Sequence, residues 1–165
     1  MSLSLNFLTE YVKNKMYQVH GENNFRDQVL RVMTNYQDFV LSAAQMDALN
    51  ATPVTVLAAP GAGLVNIPVG LLLRVNSTGF TAFELGSGVL EFRYTGASGS
   101  KIVTDIANAV VESATDVLGW NPAIVSVPVV NDIIVAHASA DVTAGTGNIQ
   151  GRLFYKTVLM SEIVA

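Results

Sequence analysis

Residues 150–159 read QGRLFYKTVL, and their alternation sets the reading of the chain. Leu153, Tyr155 and Thr157 fall on one side of an extended backbone, and Phe154, Lys156 and Val158 on the other. A period of two is the mark of a strand with unlike faces, so a long final strand is predicted here. The stretch before it, 141–147, is a Gly/Thr loop. Further back, 123–130 and 132–138 are β-branched runs about Asn131-Asp132.

The same style extends towards the N-terminus. Residues 54–58 form a β-branched run closed by the turn Pro60-Gly61-Ala62-Gly63. Residues 64–75 read as extended, with Pro68 and Gly70 marking a kink or an edge. Residues 80–85 and 89–94 are predicted as a hairpin about Gly86-Ser87-Gly88. Residues 102–118 predict a short strand and then a helix, with Ile106, Ala109, Val110, Ala114, Val117 and Leu118 on one face. Ser42-Ala-Ala-Gln45 is a capping box for a short helix over 43–49, and Pro53 stops its continuation. Seven or eight short, turn-separated strands predict a mainly β fold, a jelly-roll-like β-sandwich with one or two short helices. No βαβ alternation is present.

Residue style changes near position 40. Residues 1–40 carry four basic and four acidic residues and are rich in Asn, Gln and aromatics; residues 41–165 carry five basic and nine acidic residues and are rich in Ala, Val, Gly and Thr. The expected organisation is an N-terminal helical or extended arm, 1–40, and a β-sandwich domain, 41–165. Phe7, Leu8, Tyr11, Val12 and Met16 form a helical stripe in the arm, and Asn24 caps a second short helix. Helices this short are marginal alone in water, so they need a surface to pack on.

Charged residues make up 13% of the chain and the net charge is −4. A typical soluble domain holds about 25% charged residues, and charge keeps monomers apart. A surface so poor in charge points to subunit contacts. No Lys/Arg run provides the basic stripe that nucleic acid or an anionic membrane requires. The apolar stretch 54–75 is broken by Pro60, Pro68, three glycines and Asn66, which argues against a spanning helix. The start of the chain lacks a basic n-region and is not read as a secretory signal. With no cysteine, a thiolate nucleophile or Cys-based metal site is excluded.

The chemistry-bearing residues form no catalytic pattern. His20 and His137 are the only histidines, and they form no metal triad with a carboxylate; both read as ordinary histidines, His137 on a strand. No G-x-S-x-G elbow occurs. In Ala58-Ala-Pro-Gly-Ala-Gly63, Leu64 stands where a phosphate loop needs its Lys, so the glycines read as a turn. Residues 145–151 are glycine-rich but precede a strand rather than a helix. Glu84 and Glu91 flank the expected hairpin, where they read as surface groups rather than a glycosidase pair. Asp132 and Asp141 lack the EF-hand pattern. Trp120, beside Pro122, reads as a packing anchor or an interface residue. No enzyme activity, cofactor or metal is expected.

LSAAQMDALNATPVTVLAAPGAG (41–63), VLEFRYTG (89–96) and GRLFYKTVL (151–159) together resemble small virion proteins of tailed phages, especially capsid decoration (cement) proteins. The resemblance covers roughly three quarters of the chain and rests on fold style; the arm does not share it. It implies a homotrimer on the outer capsid surface that clamps the major capsid protein. Phe7, Tyr11, Phe25, Tyr36 and Phe39 are then the expected partner anchors, against intramolecular packing as the plain alternative. A second expectation is a tail or fibre module binding a host glycan or protein. A third is a head-completion or shell protein.

Overall fold

The computed structural model describes residues 35–95, 98–124 and 128–163. Among these residues, seven strands and three short helices follow one another as β1 (Asn35–Ser42), α1 (Ala43–Ala48), β2 (Val54–Leu57), β3 (Leu64–Asn76), β4 (Leu90–Tyr94), α2 (Asn108–Val111), β5 (Val117–Pro122), β6 (Ile134–Ala138), β7 (Asn148–Leu159) and α3 (Met160–Ile163). They build a four-stranded sheet in the order β1-β7-β3-β5 and a three-stranded sheet in the order β2-β6-β4. Every pairing is antiparallel. The chain is mainly β and forms a sandwich, as its alternation predicts.

One core lies between the sheets. Leu41, Leu71, Leu73, Val75, Ile149 and Leu153 enter it from the four-stranded sheet. Val56, Leu90, Phe92, Tyr94, Ile134 and Ala136 meet them from the three-stranded one. Each large side chain buried this way stabilises the fold by about 1.5–3 kcal/mol. Tyr94 is buried whole and donates its hydroxyl to the Asn66 carbonyl. Asn66 in turn donates to the Ala58 carbonyl and accepts from the Thr157 hydroxyl, at 3.1 and 2.7 Å. The polar tip of the tyrosine is thereby satisfied inside an apolar core.

Several local readings hold. Ser42 and Gln45 cap α1 reciprocally. Register slips between Pro68 and Gly70, where the kink was expected. Gly61 and Gly63 take φ of +109° and +74°, which makes the 58–63 stretch a turn. Asn131, between the two β-branched runs, takes φ +50°, in the left-handed region.

Other readings are corrected. Residues 80–85 are not a strand, and no hairpin forms about Gly86. β4 instead pairs with β6 and, on its other side, is bridged to Lys101 and Ile106. Phe83 and Leu85 are buried as irregular backbone, so their apolar character reflects burial rather than strand pairing. The helix expected over 106–118 is one turn, α2, because Val117 and Leu118 open β5. Their β-branched and apolar side chains fit a pleated surface equally well. β1 begins at Asn35, inside the stretch expected as an arm, so residues 35–40 belong to the sheet. The remaining arm residues, Phe7, Tyr11, Phe25 and His20 among them, lie outside the described residues.

Candidate interaction face

The outer face of the four-stranded sheet carries the even-numbered positions of β1, β5 and β7 and, beyond the Pro68–Gly70 slip, those of β3. Three rows of side chains run across it. The first is Tyr36, Phe154, Gly70 and Pro122; the second Asp38, Arg152, Leu72 and Trp120; the third Val40, Gln150, Arg74 and Leu118. Tyr36, Val40, Leu118 and Trp120 are 57, 55, 67 and 53% exposed. All four sit on the two edge strands, where single hydrophobics would be ordinary but four on one face make a patch.

Aromatic contacts stiffen this face. Trp120 meets Phe154 edge-on at 5.7 Å, and Phe154 meets Tyr36 at 6.5 Å with a tilt of 53°. Arg152 lies over the Tyr36 ring, 4.2 Å from its centroid. The same guanidinium donates to both Asp38 carboxylate oxygens, at 2.6 and 2.9 Å. That hydrogen bonding holds the Asp38 carboxyl below its usual range. At the other end Arg74 donates to Asp116 at 3.1 Å. The Thr78 amide, with Arg74, holds Asp116 at about 2. Each cation on the face that approaches Val40 or Leu118 thus has its own carboxylate. A groove of about 370 Å³ runs between Val40, Leu72 and Leu118 and is edged by Arg74, Gln150 and Arg152. An apolar surface with its charges paired internally has the character of an interface core.

Of the expected anchors, Tyr36 points out onto this face. Phe39 turns the other way and packs on Phe92 at 5.7 Å, in the core of its own chain. Phe7, Tyr11 and Phe25 are outside the described residues. Sequence alone assigns Val40, Leu72 and Arg152 to no face and Leu118 to a helix, although the alternation of VLGWNP contains the signal for Leu118.

The ionisable residues follow a different plan from the one expected. Glu91 is not a surface group: it lies opposite His137, on β4 and β6, and both are buried. The Glu91 carboxylate accepts from Arg93 at 2.6 Å and Lys101 at 2.8 Å, and lies 3.2 Å from His137 Nδ1. Burial pushes the Glu91 carboxyl up, but the hydrogen bonds from Arg93, Lys101 and His137 outweigh it and hold it at about 2. Glu84 is exposed and lies on no hairpin with it. A carboxylate so held is an ion-pair centre, unsuited to giving or taking a proton near neutral pH. Among the described residues no group of three His, Cys, Asp or Glu side chains is placed to hold a metal ion, and no helix is long and apolar enough to cross a membrane.

No protein-family model matches the sequence, and no curated protein does. A chain of the cyanophage Pam1 capsid asymmetric unit superposes with a TM-score of 0.44 at 12% identity, covering 74% of this chain and 81% of that chain.

Proposed function

We propose that this chain is a non-enzymatic structural protein of a phage virion, seated on the outer capsid surface and binding the major capsid protein as a homo-oligomer. The observation that carries the reading is the outer face of the four-stranded sheet, apolar at both edges and with its charges paired internally. A free monomer has little use for such a surface, whereas a subunit of an assembly buries it. The sequence resemblance to decoration proteins supports the same reading and implies a trimer.

The mechanism is avidity. Each subunit of an oligomer offers the same contact, and after the first has docked the others bind intramolecularly. Modest apolar area per contact, at about 25 cal/mol per Å², then adds up to a firm grip.

A second reading, a tail or fibre module that binds a host glycan or protein, is favoured by the Tyr36, Phe154 and Trp120 rings beside Asp38. Their tilts of 53° and 61° present ring edges rather than one flat platform for a sugar. A protein surface suits them better.

Co-sedimentation of the full chain with shells of the major capsid protein, together with its mass in solution, tests the proposal. Saturable binding by an oligomer is expected. A monomer that stays in the supernatant overturns the capsid reading, and retention on a glycan array in its place would establish the second one.

A further inference from the structure

The groove on the outer face of the four-stranded sheet has aliphatic ends and a rim of spare hydrogen-bond donors, and we infer that it receives a short extended segment of a partner protein, aliphatic side chains on its floor and carbonyls on its rim. This deepens the proposal above and rests on its reading of the face as an interface.

The groove lies between the second and third rows of the face and crosses the strands. Val40 and Leu118 stand at its two ends, on β1 and β5, with half-buried Leu72 between them. The ends are three strand spacings apart, about 14 Å, the span of about four residues of extended chain. Every second side chain of such a segment points to one side, here down onto Val40, Leu72 and Leu118.

The rim has more donors to give than acceptors. Among the described residues Arg74 engages only its Nη2, on Asp116, and keeps its other N–H groups. Arg152 commits Nε and Nη2 to Asp38 and keeps Nη1. Gln150, exposed beside both, adds a carboxamide. The carboxylates are spent. Both Asp38 oxygens accept from Arg152, and Asp116 accepts from Arg74 and from the Ser77 and Thr78 amides. An occupant that fits must therefore bring acceptors. Each arginine already faces a carboxylate, so an incoming anion would gain little and would lie against Asp38. Carbonyl oxygens accept without that repulsion, and an extended segment offers one per residue beside its apolar side chains. The same face of a second copy brings the same spare donors, so two such faces laid together do not complement each other.

The probe is the capped peptide acetyl-Leu-Ser-Leu-amide, titrated into the isotope-labelled full chain and followed by backbone amide shifts. Saturable shifts are expected around Val40, Leu72, Leu118 and Gln150, with a Kd in the millimolar range that suits so small a ligand. Val40 and Leu118 are both more than half exposed, so the Val40→Ser, Leu118→Ser double variant keeps its core; it is expected to bind about tenfold more weakly. Arg74→Met keeps the stem and removes the donors, and a similar loss of about tenfold is expected. No saturable shift, equal affinity for acetyl-Ser-Ser-Ser-amide, or unchanged binding by Arg74→Met overturns the inference. Tighter binding of acetyl-Asp-Ser-Asp-amide also overturns it, by making the groove an anion site. The same shifts on concentrating the chain without peptide overturn it too, by making a second copy the occupant. Wild-type shell binding that survives the double variant unchanged sinks this inference alone, and peptide binding by a chain that ignores shells sinks the capsid reading alone.

Discussion

The indole of Trp120 lies on Gly70, and a β-carbon at position 70 would stand 2.3 Å from two of its ring atoms. The pair explains how a bulky ring on an edge strand is held against the sheet and brought edge-on to Phe154. Gly70→Ala is expected to drive the ring outward and destabilise the fold by about 1–2 kcal/mol. Trp120 is the only tryptophan, so its emission reports the event directly. Unchanged emission and unchanged urea midpoint would show that the ring does not rest there.

Glu91 should govern acid stability. Its folded value of about 2 lies below the ordinary 4.5. A carboxyl depressed on folding stabilises above its unfolded value, and that stabilisation fades as the pH falls through the folded one. Glu91→Gln is expected to cost about 2 kcal/mol at neutral pH, since Arg93 and Lys101 lose a charged acceptor. The gap between the variant and the wild type should narrow from about pH 4.5 down to about 2, as followed by denaturant unfolding across that range. A gap that is constant with pH would mean the carboxylate charge contributes nothing.

Tyr94→Phe removes the donor to the Asn66 carbonyl while leaving the ring in the core. The orphaned carbonyl is expected to cost about 1–2 kcal/mol in chemical denaturation, with no change in assembly mass. The Tyr94 hydroxyl, pushed up by burial, should also resist alkaline titration until the protein unfolds. Absorbance at alkaline pH distinguishes this from an exposed phenol.

Ser42→Ala should destabilise by about 1 kcal/mol through loss of the cap on α1. Gly at the same position should cost less, because the backbone there is already extended, and a calorimetric comparison of the two variants checks it.

The readings that held depend on neighbours close in sequence. Ser42 and Gln45 are three residues apart, and their reciprocal cap needs nothing else. The β7 alternation and the Pro68–Gly70 slip are equally local. The readings that failed depended on which strand lies beside which. Residues 80–85 looked like the partner of β4, but β6 and the 100–106 segment took that place. Leu118 fitted a helical face until β3 supplied a sheet for it to join. Glu91 looked exposed because nothing in its own strand announces Lys101 or His137.

The amino-acid sequence by itself determined that this is a β chain, where most of its turns fall, that a short helix is capped at Ser42, and that its surface is poor in charge. Those properties follow from periodicity, backbone preference and composition, which act over a few residues or over none. Only the tertiary structure decided that Tyr36, Val40, Leu118 and Trp120 share one face and that Asp38 finds Arg152 across 114 residues of chain. Strand order is set by the burial of one common core, and no local signal encodes it.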